Sequence, residues 1–289
     1  MGARRAGDAF MKSATTVTKI CRIIDELGTR KWLGISDLSR RTALLPSDVH
    51  RLLTSLRRSG YVDQDAETKK YQLGVQLLRI GLEACQQNEL YERAYPKLVE
   101  LSQRLRATMH LAAFDQREVD VFLIADVNGP AEDRSRGRLG APEPLHSSAL
   151  GKVVVSALER SAAARAFKKR GMPRYTRRTI TDLTTLERHL EQVRVQGYAV
   201  DLEECFDGVC CLGCPVIDWT GETIGSISTS MPTSQFLALD ETMVAASLKA
   251  AAYATMAGRR MAVLRRVEMG DPVRGNFARE ELTASKRTV

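Results

Sequence analysis

The side chains best suited to chemistry by type and spacing begin in one run, GISDLSRRTALLPSDVHRLLTSLRRSG, Gly34 to Gly60. In its second half Val49, Leu52, Leu53 and Leu56 recur at helical spacing and form one apolar stripe. Ser47, His50, Arg51 and Thr54 fall off that stripe. Hydroxyl, imidazole and guanidinium groups on the outer face of a short helix can reach base edges in a DNA major groove. Arginine paired to guanine is the commonest specific contact of that kind. Ser47, His50 and Arg51 are the expected base contacts. Arg40, Arg41, Arg57, Arg58, Lys69 and Lys70 suit phosphates instead. Asp48 would repel a phosphate and is assigned to the positive N-terminus of its own helix.

A second set lies far along the chain. Residues 209–217 and 223–230 read as strands, so alternation puts Val209, Cys211, Gly213 and Pro215 on one face. Ser226, Ser228 and Ser230 likewise share a face. A pocket lined by Cys211, Ser228 and Ser230 would offer hydroxyl and weak thiol partners to a polar ligand. A helix opening near Ser147 would add backbone N–H groups from Ser148, Ala149 and Leu150. Helix N-termini suit anions, so a small carboxylate is the natural occupant.

Two other chemistries are weighed against this. Cys205, Cys210, Cys211 and Cys214 invite a zinc site, but the spacing is wrong for paired C-x-x-C ligands. Cys210 and Cys214 share a strand face yet lie ~13 Å apart at strand rise. No metal and no cofactor is assigned. Redox sensing by an exposed Cys205 or Cys210 stays an alternative. Asp201, Glu203 and Glu204, with His110, His146 or His189, could mimic an acid–base or Cys–His arrangement. Sequence brings none of them together, and the chain is read as a non-enzyme.

The elements that must position these residues follow from periodicity. Residues 1–12 read as a disordered arm. Ser13 is a candidate cap for a helix carrying Val17, Ile20, Ile23, Ile24 and Leu27, with Gly28 as its stop. A second helix covers about Ser36 to Thr42, and a third begins at Pro46, a favoured first-turn position. Tyr61-Val62 and Tyr71-Gln72-Leu73 flank DQDAETKK and read as a β-hairpin. Three helices and a hairpin make a winged helix-turn-helix over residues 13–73. Its expected core is Val17, Ile20, Ile24, Leu38, Val49, Leu52, Leu53, Leu56 and Val62.

Residues 74–87 read as a linker helix, apolar on one side and able to pair with a second subunit. Residues 88–266 read as the effector-binding domain. It opens with a helix from Glu89 to Arg106 that Pro96 splits or kinks. Strands at 110–114 and 119–127, helices at 147–158 and 183–196, and three more extended stretches make it α+β with an antiparallel sheet. A long Ala/Met-rich helix closes it, and residues 267–289 read as a flexible tail.

Charge supports this division. The 289 residues carry a net charge of +8. Residues 1–80 hold 15 Lys and Arg against 8 Asp and Glu, leaving 28 against 27 for the remainder. The excess sits on the helix pair, where a positive field attracts a phosphate backbone. The N-terminal residues have no apolar core of a signal peptide, and no apolar run approaches the ~20 residues of a membrane span. The six cysteines are therefore expected as thiols in a cytoplasmic protein.

Three stretches carry a resemblance to a known family: LPSDVHRLLTSLRRSGYV with YQLG at 45–74, PLHSSALGKVVVSAL at 144–158, and GYAVDLEECFDGVCCLGCPVIDWTGETIGSISTSMP at 197–232. Together, in this order and spacing, they resemble the isocitrate lyase regulator (IclR) family of bacterial transcription factors, over roughly residues 13–266. The resemblance implies a winged helix-turn-helix, a linker helix and a GAF-like C-terminal domain that binds a small metabolite. It also implies a homodimer, or a dimer of dimers, on pseudo-palindromic double-stranded DNA operators. Carried over position by position, the family's ligand contacts fall on Ala149, Leu150, Asp201, Cys211, Ser228 and Ser230. The expected function is a DNA-binding transcription regulator controlled by a small organic acid. A metal- or thiol-sensing regulator on the same scaffold is the alternative, and a GAF-like enzyme comes third.

Overall fold

The structure, a computed structural model, describes residues 15–129 and 137–268. The chain divides into two compact units between Gln87 and Asn88. In the first, α1 (Thr16–Thr29), α2 (Ile35–Thr42) and α3 (Pro46–Arg58) precede a hairpin of β1 (Val62–Gln64) and β2 (Tyr71–Leu73), then α4 (Val75–Gln86). Thr15 caps α1, its hydroxyl accepting from Thr18 N–H at 3.3 Å; Ser13 lies outside the described residues, as does the expected 1–12 arm. Gly28 does not stop the helix, which runs on through Thr29. Ile23, Leu27, Leu38, Val49, Leu52, Leu53, Leu56, Val62 and Tyr71 form the core. Val17 does not join it and is 69% exposed. It lies about 100° round the helix from Ile23 and Leu27, at the edge of their stripe.

The second unit holds α5 (Glu89–Leu105), β3 (Thr108–Asp115), β4 (Asp120–Val127), α6 (Ala149–Ser156), α7 (Arg160–Arg170), α8 (Leu183–Gln196), β5 (Ala199–Leu202), β6 (Val209–Ile217), β7 (Thr223–Pro232), α9 (Thr233–Phe236) and α10 (Glu241–Glu268). The sheet order is β4-β3-β7-β6-β5, antiparallel throughout. Helices cover both faces. On one, α5 and α10 pack Leu98, Leu101 and Leu248 against Met109, Leu111, Leu212, Cys214 and Ile227. On the other, Val154, Phe167, Leu186 and Leu190 of α6, α7 and α8 meet Val121 and Leu123.

Three sequence expectations are corrected here. Pro96 does not split α5. It is exposed, so the Glu92 carbonyl it leaves without a donor faces water. The helix α7 was not anticipated, because its only buried apolar residues are Ala163, Ala166 and Phe167. The last helix continues to Glu268, past the expected start of the tail at 267; residues 269–289 lie outside the described residues.

Candidate functional site: a helix-turn-helix face and a polar sheet face

In the first unit α3 buries Val49, Leu52, Leu53 and Leu56 and turns Ser47, His50 and Arg51 to solvent. Arg40, Arg41, Arg57, Arg58, Lys69 and Lys70 are exposed as well. They are not equally available. Arg41 pairs with Glu26 at 3.2 Å, Arg40 with Asp37, and Arg57 with the Gln64 side chain on the hairpin. Arg58 and Lys70 have no acidic partner among the described residues, and Lys69 has only a through-space attraction to Asp65. Thr54 is half-buried, and its hydroxyl donates to the His50 carbonyl at 2.8 Å, so it serves its own helix. Asp48, in the first turn of α3, accepts from Lys19 at 2.7 Å. That contact holds its carboxyl below the ordinary range and ties α1 to α3. Arg51 lies 3.5 Å from the same carboxylate, at the outer limit of a hydrogen bond, and is 64% exposed.

In the second unit the sheet register sorts the other candidates into rows. Asp201 pairs with Cys211, Cys211 with Ser230, and Ser230 with Thr108. Two residues on, Ala199, Gly213, Ser228, His110 and Asp126 form the next row across all five strands. Alternation therefore puts Asp201, Cys211, Ser228, Ser230, His110 and Asp126 on one face. Cys210 and Cys214 belong to the core on the other.

Above this polar face lies the start of α6. Ser226 Oγ donates to the Leu150 carbonyl at 3.2 Å. A Cβ on Gly213 would come within 3.0 Å of the Ala149 carbonyl, so glycine there lets helix and sheet meet. Ser148 caps α6, its Oγ accepting from Gly151 N–H at 3.0 Å. Among the described residues nothing accepts from the N–H groups of Ala149 and Leu150. The Leu150 side chain packs into the apolar cluster, so only its backbone faces this region.

Charged groups surround that helix start. Lys152, fully buried, donates to the Val200 carbonyl and to Glu204 Oε1, both at 2.5 Å. Among the described residues the Glu204 Oε2 atom is buried with no hydrogen-bond partner. Asp201 accepts from the N–H of Glu204 at 2.6 Å and of Cys205 at 3.4 Å. Burial raises the carboxyls of Asp201 and Glu204, and Lys152 opposes the rise at both. Glu143, just before α6, is pushed up to about 7 by burial, with Asp201 adding to the shift and Ser148 opposing it.

The acid–base and thiol readings find little support in this geometry. Glu203 does not join Asp201 and Glu204; it accepts from Thr233 and lies 3.7 Å from Arg178. His146 bonds the Pro173 carbonyl at 2.9 Å and stacks on Tyr175, and burial lowers His189 to about 4. His110 lies 3.5 Å from Ser228 Oγ and 3.8 Å from Asp126, too long for a proton relay. The Cys205 thiol donates to Ser147 rather than to a histidine, and burial pushes its pKa up, away from the reactive thiolate. Among the described residues no group of three His, Cys, Asp or Glu could hold a metal ion.

Sequence reading missed Glu143, Lys152 and Asp126. The one local signal was a carboxylate set between two prolines, Pro142 and Pro144, directly before α6.

Comparisons with known proteins agree with this architecture. Residues 16–66 match the IclR helix-turn-helix domain, and residues 82–256 match the bacterial transcriptional regulator IclR C-terminal domain. The chain is 35% identical over 224 residues to the HTH-type transcriptional regulator KdgR of Escherichia coli, covering 78% of this chain and 84% of that protein. Its structure resembles that of the Thermotoga maritima IclR (TM-score 0.61, 26% identity, 83% of this chain and 96% of that one). It also shares its fold with an IclR homologue from Microbacterium hydrocarbonoxydans complexed with 4-hydroxybenzoate (TM-score 0.69, 20% identity, 86% and 100% covered). A basic helix-turn-helix unit and an α+β unit with a polar sheet face, matched by family over both, lead to one conclusion: the chain belongs to the IclR family of bacterial transcription regulators.

Proposed function

We propose that this regulator binds a pseudo-palindromic DNA operator as a homodimer, or a pair of dimers, and that a small organic acid bound beneath α6 controls it. The observation that carries the effector reading is a helix start whose Ala149 and Leu150 N–H groups have no acceptor among the described residues, packed on the sheet that bears Ser228, Ser230 and Asp201. A helix N-terminus offers an anion both oriented donors and a favourable dipole. The serine hydroxyls and Asp201 would then read the rest of the molecule. The 4-hydroxybenzoate bound by the M. hydrocarbonoxydans homologue supports the carboxylate class. The exposed recess at the α6–α7 turn is a poorer candidate. Its Arg160 and Arg194 are already occupied by Glu191.

Dimer formation is supported by α4, which has no buried residue. Val75, Leu78 and Leu82 recur along one side of it and are 71%, 62% and 58% exposed. An apolar stripe of that kind calls for a partner, and a two-fold dimer would match a palindromic operator. On the DNA side Ser47, His50 and Arg51 are assigned to bases; Arg58, Lys69 and Lys70, with Arg40, Arg41 and Arg57 after exchange of partners, go to phosphates.

The effector reading is tested by a thermal-shift screen with pyruvate, gluconate and 4-hydroxybenzoate. An acid at a hundred times its dissociation constant adds about 2.7 kcal/mol, several degrees in a domain of this size. The shift should vanish in Asp201→Ala and in Ser230→Ala. A shift that survives in both variants would place the pocket elsewhere.

A further inference from the structure

We propose that the second unit has a DNA-phosphate surface of its own: Arg165 and Lys168 on α7, with Arg174 and Arg177 on the loop that follows, hold the backbone of duplex flanking the operator core. This rests on the reading that the chain binds duplex DNA.

Charge is unevenly placed along the second unit. Residues 160–181 hold eight Lys and Arg and no Asp or Glu, leaving 20 against 27 for the rest of residues 81–289. An otherwise acidic stretch thus gathers eight cations on one helix and one loop. In α7 Ala163, Ala166 and Phe167 are buried, and Arg165, Lys168 and Lys169 fall on the opposite side at 3.6 residues per turn. Like charges three and four residues apart destabilise a helix, and α7 carries no acid to offset them. The negative end of the helix dipole favours Lys168, Lys169 and Arg170 in the last turn. It does not account for Arg165, nor for the arginines beyond the helix end.

Salt bridges sort these cations. Lys169 pairs with Glu118 and Arg170 with Asp120, while Arg160 and Arg178 lie 3.6 and 3.7 Å from Glu191 and Glu203. Arg165, Lys168, Arg174 and Arg177 are exposed and have no acidic partner among the described residues. The loop that carries the last two is pinned from beneath. Thr176 and Thr179 are buried, and their hydroxyls donate to the carbonyls of Glu203 and Glu204, both at 2.7 Å. Arg174 donates to the Thr181 hydroxyl at 2.9 Å and to the Arg177 carbonyl at 3.2 Å. Neutral acceptors orient that guanidinium and leave its charge uncancelled. A fixed backbone bearing exposed cations loses little entropy on meeting a phosphate.

The composition of the surface selects its partner. Protein interfaces concentrate aromatic and Met side chains at their core and are depleted in Lys. Here the exposed residues other than cations are Ser161, Gly171, Pro173 and Tyr175. A patch of Arg and Lys without an apolar centre suits phosphate oxygens, which take most of the hydrogen bonds in protein–DNA complexes. A duplex held by the first unit is at high effective concentration for the covalently linked second unit, so contacts too weak to act alone add to affinity.

Fluorescence anisotropy of the full-length protein over a salt series tests this with two duplexes, one limited to the core selected from a random pool and one extended on both sides. Arg165→Gln with Lys168→Gln, and Arg174→Gln with Arg177→Gln, should each weaken binding to the extended duplex by about tenfold and flatten its salt dependence by about two units of slope. Binding to the core duplex should be unchanged. The pair Arg104→Gln with Arg106→Gln removes the same charge at the end of α5, which packs on the other face of the sheet, and should leave both duplexes bound as in wild type. Extended-duplex affinity and slope equal to wild type in both surface variants would overturn the proposal, as would equal losses in the α5 variant, which would reduce the effect to net charge. Arg58→Ala reports on the helix-turn-helix separately and should weaken both duplexes alike. If it weakens neither while the surface variants release the extended duplex, the helix-turn-helix assignment fails and this surface stands; a wild type that binds no duplex rejects both.

Discussion

Replacing Lys152 by methionine is expected to destabilise the C-terminal unit by about 3–5 kcal/mol. Methionine fills similar space, so the loss is one of charge and not of packing. The variant leaves Glu204, already with one unpartnered buried oxygen, and Asp201 without their common cation. Removing one member of a buried pair leaves the desolvation cost of the other uncompensated. In a unit of roughly 200 residues a melting temperature lower by on the order of 10 °C should follow. The deficit should depend on pH in a definite direction. Loss of the ammonium raises both carboxyls further above their unfolded values. The folded variant then binds more protons than the unfolded chain, so its stability recovers as pH falls and worsens as pH rises through that window. Thermal denaturation at pH 5 and pH 8 checks this. The double variant Lys152→Met with Glu204→Leu should regain much of the loss, because a neutral pair carries no buried charge. A single variant as stable as wild type at pH 8 would mean that the pair is not desolvated.

Arg51→Ala is expected to weaken operator binding by more than tenfold while organic-acid binding is unchanged. A well-placed arginine contact to a base is worth about 1–3 kcal/mol. Arg51 is exposed on α3, and its side-chain contact of 3.5 Å to Asp48 is too long to hold it back from a groove. Arg58→Ala should behave differently. A phosphate contact carries no sequence information, so its loss should weaken specific and non-specific DNA alike and flatten the salt dependence by about one unit of slope. Fluorescence anisotropy with operator and scrambled duplexes over a salt series separates the two roles. Equal losses on both duplexes for Arg51→Ala would move it from the bases to the backbone.

What could be read from the chain depended on how local each determinant is. The α3 stripe of Val49, Leu52, Leu53 and Leu56 repeats within one helix, and its outer face follows from the same period. The two faces of β6 and β7 were legible for the same reason: alternation alone separates Cys211 from Cys210 and Cys214. The α6 cap could be seen in Ser148, but the charges around it could not. Lys152 meets Val200 and Glu204 across 48 and 52 residues, and His110 meets Ser228 across 118. No periodicity encodes such contacts; they exist only once α6 is laid on the sheet. Lys152 looked like an ordinary helix residue, and Glu143 like a loop carboxylate. The helix α7 escaped notice because Ala163 and Ala166 give a weak apolar signal amid Arg160, Arg165, Lys168, Lys169 and Arg170.

The most direct measurement of effector control is anisotropy of a labelled duplex, selected by this protein from a random pool, titrated with and without an acid that raises its melting temperature. The expected result is a shift in duplex affinity of about fivefold or more, matched by an equal shift in acid affinity when DNA is present, since coupling between two sites is reciprocal. Duplex and acid each binding with an affinity indifferent to the other would contradict control of the helix-turn-helix by a ligand beneath α6.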